Sequence, residues 1–175
     1  CLEFFDRDTY FANMSVAENL LFGTPRNPDF QPAKLASNPE MIALLRDMGL
    51  LDDLQEAGAK VAALMVEIFA DVAPDSDLFE RYSFITPEDL PEFQALLSRV
   101  EGRTTMSPAD RARLLTLPFK LIEARHRLGL LDDKIKARVL EARRVFHEEL
   151  PESAQDAIEF FDPKTYNAAT TLQDN

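Results

Sequence analysis

Tryptophan is absent from these 175 residues, cysteine occurs once and histidine twice. A lone Cys1 cannot close an internal disulfide, so a reducing compartment is the default expectation. Two histidines are few for a metal or catalytic centre. Glycine is also scarce, at five residues, while 46% of the chain is hydrophobic, which argues against disorder. No apolar run approaches the roughly 20 residues that span a bilayer. The best candidate, Val61 to Val66, lies between Lys60 and Glu67. No cleavable leader is visible. The Gly-x-x-x-x-Gly-Lys-Ser/Thr phosphate loop, the dinucleotide fingerprint and the Gly-x-Ser-x-Gly nucleophile elbow are all missing.

What the chain has in excess is negative charge, and it is unevenly placed. Residues 1–100 carry 7 Lys/Arg against 18 Asp/Glu, whereas residues 101–175 carry 12 against 13. The acidic first part disfavours nucleic acid and anionic lipid surfaces as partners. The basic residues of the second part include Arg103, Arg111, Arg113, Lys120, Arg125, Arg127, Lys134, Lys136, Arg138, Arg143 and Arg144. They read as a solvated helix face laced with carboxylates, or else as a docking surface for an acidic partner.

The middle of the chain reads as helical. Asn38-Pro39-Glu40, Thr86-Pro87-Glu88-Asp89 and Ser107-Pro108-Ala109-Asp110 each place a capping side chain before a proline, with acid in the first turn. Leu150-Pro151-Glu152 is a weaker version. Apolar stripes at helical spacing run through Leu54, Val61, Met65, Ile68 and Val72, through Leu90, Phe93, Leu97 and Val100, and through Ile135, Val139, Ala142 and Phe146. Pro118 predicts a kink or two consecutive helices. Gly49-Leu50-Leu51-Asp52-Asp53 recurs as Gly129-Leu130-Leu131-Asp132-Asp133. In each copy glycine ends one helix and an aspartate is expected to cap the next, which makes a tight corner suited to antiparallel packing. No strand-like alternation competes.

A longer repeat brackets this region. Phe4 to Asn19 aligns without gaps on Phe160 to Asn175, with seven identities in sixteen pairs, 156 positions apart. That separation is too great for a solenoid. The second copy stops at Asn175, where the first continues to Leu20-Leu21-Phe22-Gly23, and the chain begins at Cys1. It therefore reads as an excised piece of a longer protein. Ser15-Val16-Ala17-Glu18 is a capping box opening a short helix. Glu123-Ala124-Arg125-His126 has the Glu-x-x-His spacing of di-iron bundles, but such a site needs two of these motifs and two further glutamates. His147-Glu148-Glu149 is not a zinc-protease motif.

Arg7-Asp8-Thr9-Tyr10-Phe11-Ala12-Asn13-Met14-Ser15-Val16-Ala17-Glu18-Asn19-Leu20-Leu21-Phe22-Gly23 resembles the stretch after the Q-loop in ATP-binding cassette (ABC) transporter ATPases. There a loop glutamine leads into Ser/Thr-Val/Ile-x-Glu-Asn and a later glycine. The second copy, from Pro163 to Asn175, is similar to it as well. In register with the family glutamine stand Arg7 and Pro163, neither of which offers a side-chain acceptor. The Walker A loop, the Leu-Ser-Gly-Gly-Gln signature and the Walker B aspartate are absent, so this chain is not expected to hydrolyse ATP by itself.

The resemblance implies a helical insertion of an ABC-related ATP-binding protein, with a coupling, regulatory or assembly role. Its implied partners are a transporter transmembrane subunit or the parent's own ATPase core, at the cytoplasmic face of an inner membrane and without direct insertion. ATP and magnesium are implied for the parent only, and no cofactor or metal for this chain. The coupling elements it implies are Arg7, Asp8, Thr9, Tyr10, Ser15, Glu18 and Asn19, with Thr165, Tyr166, Asp174 and Asn175 in the second copy. The expected fold is all-α, an antiparallel helical bundle over 24–158 with irregular flanks over 1–23 and 159–175. Two other readings stand beside it: a stand-alone acidic interaction module, and a metal-binding bundle using Glu123 and His126.

Overall fold

A computed structural model describes residues 6–102, 106–149 and 156–161. The chain is mostly helical. Its order is α1 (Val16–Leu21), β1 (Gly23–Pro25), a 3-10 turn (Pro28–Phe30), α2 (Pro32–Leu35), α3 (Pro39–Asp47), α4 (Leu51–Phe69) and α5 (Asp77–Tyr82). There follow α6 (Leu90–Glu101), α7 (Pro108–Phe119), α8 (Glu123–His126), α9 (Asp133–Glu149) and β2 (Ile158–Phe160). The two strands pair antiparallel with Gly23 opposite Phe160 and Pro25 opposite Ile158. These two short strands stand beside an otherwise helical architecture, in keeping with the all-α expectation. Three residues each are too few to show alternation in sequence, and they pair because the fold brings distant segments together.

The helix starts follow local chemistry. Asn38 Oδ1 accepts from the amides of Glu40 and Met41 at 3.0 and 3.1 Å, with Pro39 at the first helical position. Ser107 and Asp110 form a full capping box on α7. Thr86 does not open a helix: its hydroxyl bonds Asp89 within a turn, and α6 starts only at Leu90. Pro118 lies in the last turn of α7, and the short α8 follows after a break. Two consecutive helices result, because proline supplies no amide to continue the ladder. The Leu150-Pro151-Glu152 start lies outside the described residues.

Both glycine corners take the left-handed conformation, Gly49 at φ 64° and Gly129 at φ 65°. At the first corner the Leu50 amide bonds Leu45 O and the Gly49 amide bonds Arg46 O. This closing motif abuts α4 so tightly that the helix starts at Leu51 with no side-chain cap, which corrects the expected aspartate cap there. Asp53 instead pairs with Arg138 of α9. At the second corner Asp132 does cap, accepting from the Ile135 amide at 2.8 Å.

Helix α4 runs through the centre of the core, with Leu54, Val61 and Ala62 fully buried. Ile68, placed on its apolar stripe, is 52% exposed, and the neighbouring Phe69 is buried in its stead against Phe79. The α4–α7 crossing is close at Gly58, where an added Cβ would stand 2.1 Å from Leu114 O. Backbone cannot yield as a flexible side chain can, so Gly58→Ala must push the helices apart. A loss of about 1–3 kcal/mol is expected from such overpacking, read as a lower urea midpoint. An unchanged midpoint would contradict the crossing.

Candidate functional site

The coupling elements implied in the first copy, from Arg7 to Asn19, gather around the start of α1. Asp6 organises the entry: its carboxylate accepts from the Asp8 amide at 3.0 Å and the Thr9 hydroxyl at 2.9 Å. These bonds hold its carboxyl below the usual carboxylate range. The capping box forms at Ser15, whose amide donates to Glu18 Oε2 at 2.6 Å while its Oγ accepts from the Glu18 amide at 3.2 Å. The short α1 that follows buries Val16, Ala17, Leu20 and Leu21. The short helix expected from the capping box thus forms, and the first segment that carries it contributes to the core. Its apolar residues require burial, and its polar ones find partners inside.

Asn19 shows how. It is fully buried, and its Nδ2 lies within bonding distance of the carbonyls of Phe11, Met14 and Ser15 at 2.9–3.2 Å. Its Oδ1 accepts from the Phe11 amide at 2.9 Å, so one amide side chain folds residues 11–19 back on themselves. The remaining oxygens of this turn are taken by Arg143 from α9. Arg143 Nε donates to Asn19 O at 2.7 Å, Nη2 to Asn19 Oδ1 at 2.9 Å, and Nη1 to Arg7 O and Thr9 O at 2.8 and 2.9 Å. Its guanidinium carbon lies 4.3 Å from the Phe22 ring centroid.

Arg143 is only 2% exposed and corrects the reading of α9's basic residues as a solvated face. Arg144 beside it fits that reading, bracketed by Glu141 and Glu148. No carboxylate among the described residues hydrogen-bonds Arg143, and all four acceptors are neutral oxygens. Burial therefore pushes its pKa down to about 10, opposed by the charges of Tyr10, Asp6 and Asp8. Tyr10, in turn, is pushed up by burial and then by Glu123, and its buried hydroxyl has no hydrogen-bond partner among the described residues.

The exit of the chain meets the entry here. The Phe161 amide donates to Phe22 O at 3.0 Å, and the Phe161 ring stands edge-on to Phe22 at 5.5 Å. Gly23, the motif's glycine, lets β2 approach, since a Cβ there would lie 2.6 Å from Glu159 O. Phe160 packs on His147 with centroids 3.9 Å apart. Arg7, Arg143, Arg144, His147, Glu148, Asp156 and Phe160 surround a cavity of about 540 Å³ at this junction. Thr165, Tyr166, Asp174 and Asn175 lie outside the described residues.

The other sequence candidate is differently arranged. Glu123 is paired with Lys136, and His126 Nδ1 accepts from the Ile122 amide at 2.9 Å. Among the described residues no three His, Cys, Asp or Glu side chains gather at metal-binding spacing. Comparison with protein-family models, curated proteins and solved structures returns no match to this chain. Arg143 was missed in sequence because charge alone does not separate it from its exposed neighbours. The available signal was its place three residues before Phe146 and one after Ala142, beside the apolar stripe.

Arg143→Met would remove the donor shared by four oxygens, two of them on the fully buried Asn19. The unfolding free energy should fall by at least about 3 kcal/mol, because hydrogen bonds to a charged group contribute about 1.5–3 kcal/mol each and are not additive. Urea denaturation followed by circular dichroism checks this. His147 gives a separate pH signature. Its pKa is depressed, mainly by burial, although Nε2 lies 3.0 Å from Leu21 O. The folded state then binds fewer protons than the unfolded one just below the usual histidine value. Stability should be at its plateau above about pH 6.5 and decline as pH falls below it. A half-buried His126, also depressed by burial and by Arg125, adds to the same slope. His147→Gln should flatten the decline between about pH 6.5 and 5.5, and an unaltered slope would contradict the assignment.

Proposed function

We propose that this chain is a non-catalytic helical accessory segment of an ABC transporter-related ATP-binding protein, acting in coupling, regulation or assembly. One observation carries the reading. The Ser15-Val16-Ala17-Glu18-Asn19 element that resembles the post-Q-loop stretch is bound by a buried arginine to the long helix α9. A displacement of that element must therefore load α9, which is what a coupling part needs. The junction of entry and exit at Phe22 and Phe161 supports the same view, since an inserted unit leaves its host and returns to it at one place.

In this reading the helical region supplies no phosphate cradle and no metal ligands. It transmits or senses what the parent's ATPase core does. Its partners are that core or a transmembrane subunit, reached from the cytoplasmic side. No helix among the described residues is long and apolar enough to cross a membrane, so association with one would be peripheral.

The direct experiment is to read the parent gene on both sides and to assay the intact protein. A phosphate loop before Cys1 and a signature motif after Asn175 are expected. In that parent, Asn19→Ala should leave MgATP binding within about twofold and lower transport per ATP hydrolysed by at least about tenfold, a coupling free energy near 1.4 kcal/mol. A gene without these motifs would overturn the proposal.

A further inference from the structure

A groove of about 500 Å³ lies on another face, between the C-terminal half of α4, the Ser83-Phe84 segment and the α7–α9 connection around α8. Its apolar surface comes from Leu64, Met65, Ile68, Phe84, Ile122 and Leu128. Ile68 is 52% exposed there, the most exposed of the chain's large hydrophobic residues among those described. Its polar edge is Lys120, Arg125 and His126, with Ser83.

The charge of this groove is the informative part. The chain carries 31 Asp and Glu residues and a net charge of −12, yet no described residue lining the groove is acidic. An apolar groove between α3 and α9 has the opposite sign, edged by Glu40, Asp47 and Glu149 and by no described base. One between α3, α4 and α7 carries Arg46 and Arg111 but no large hydrophobic side chain as exposed as Ile68. Lys120 is held over the groove by donating to Phe84 O at 3.0 Å, which leaves its ammonium two further donors. Arg125 is exposed and pairs with no carboxylate among the described residues. His126 is braced by its edge contact with Phe84 at 4.5 Å and by the Ile122 amide on Nδ1, so its Nε2 carries the proton and can donate. An unpaired cation beside exposed aliphatic side chains is costly to cover with another base or a neutral apolar surface.

We infer that this groove is a docking site for an acidic amphipathic helix of a partner protein, its apolar face on Ile68, Leu64 and Leu128 and its carboxylates on Arg125, Lys120 and His126. Helix-in-groove recognition needs such an apolar floor, and the basic edge sets orientation and excludes basic helices. The inference uses no part of the ABC-like motif and stands or falls separately from the functional proposal.

The test uses the whole chain and a synthetic helical peptide of roughly 14 residues with leucines on one face and flanking glutamates. Its twin replaces glutamate by lysine. Fluorescence anisotropy should show the acidic peptide binding at least tenfold more tightly. Arg125→Glu with Lys120→Glu should weaken it tenfold or more, and Ile68→Asp should do likewise. Should a variant lose its helical circular dichroism, amide shift changes in the unaltered chain decide instead. Changes centred on Ile68, Phe84 and Leu128 support the site. Equal binding of the two peptides, or shifts elsewhere, would overturn it. So would concentration-dependent self-association that Ile68→Asp abolishes, since the occupant would then be a second copy of this chain.

Discussion

A buried guanidinium satisfied by neutral oxygens organises this protein. Arg143 reaches from α9 across to the backbone of residues 7, 9 and 19 and to the Asn19 side chain. Taking a charge out of water costs several kcal/mol, so the arrangement persists only when its donors are met. Here they are met by a turn that itself depends on Asn19. The turn and the cation are mutually conditional. Truncate Asn19 to alanine and Arg143 loses its Oδ1 acceptor while the turn loses the amide that folds it; remove Arg143 and the buried Asn19 O loses its guanidinium donor.

The consequence is that the first segment, the centre of α9 and the returning strand β2 form one junction. Phe22 lies at its heart, stacked on Phe11, covered by Arg143 and met edge-on by Phe161. Its backbone takes the left-handed conformation at φ 44°, a strained choice for an aromatic residue. The surrounding contacts, including the Phe22 amide on Glu18 O and the Phe161 amide on Phe22 O, hold it there. Strain of this kind marks a place where geometry is over-determined. The functional reading locates the sensitive part of the molecule at that place.

Local chemistry was legible where it was self-contained. Asn38 and Ser107 cap, Gly49 and Gly129 turn the chain, Asp132 caps α9, and Pro118 ends α7, all from short-range rules. The capping box at Ser15 belongs with them. Tertiary choices were not legible. Ile68 and Phe69 are adjacent apolar residues, and the buried one is Phe69, which meets Phe79, a contact set by tertiary packing. The β1–β2 pair joins segments more than 130 residues apart, so neither shows a strand signal alone. Arg143 is one arginine in a basic run; its burial follows from where the turn at Asn19 docks. Of the site, the residues of the first copy were visible as a motif, while the cation that binds them was not.

The central claim is the coupling of Asn19 to Arg143, and a double-mutant cycle in urea measures it. Asn19→Ala, Arg143→Met and the combination should show an interaction free energy of about 1–3 kcal/mol, the double variant losing clearly less than the sum of the singles. Additivity within about 0.5 kcal/mol would show two independent sites and contradict the account.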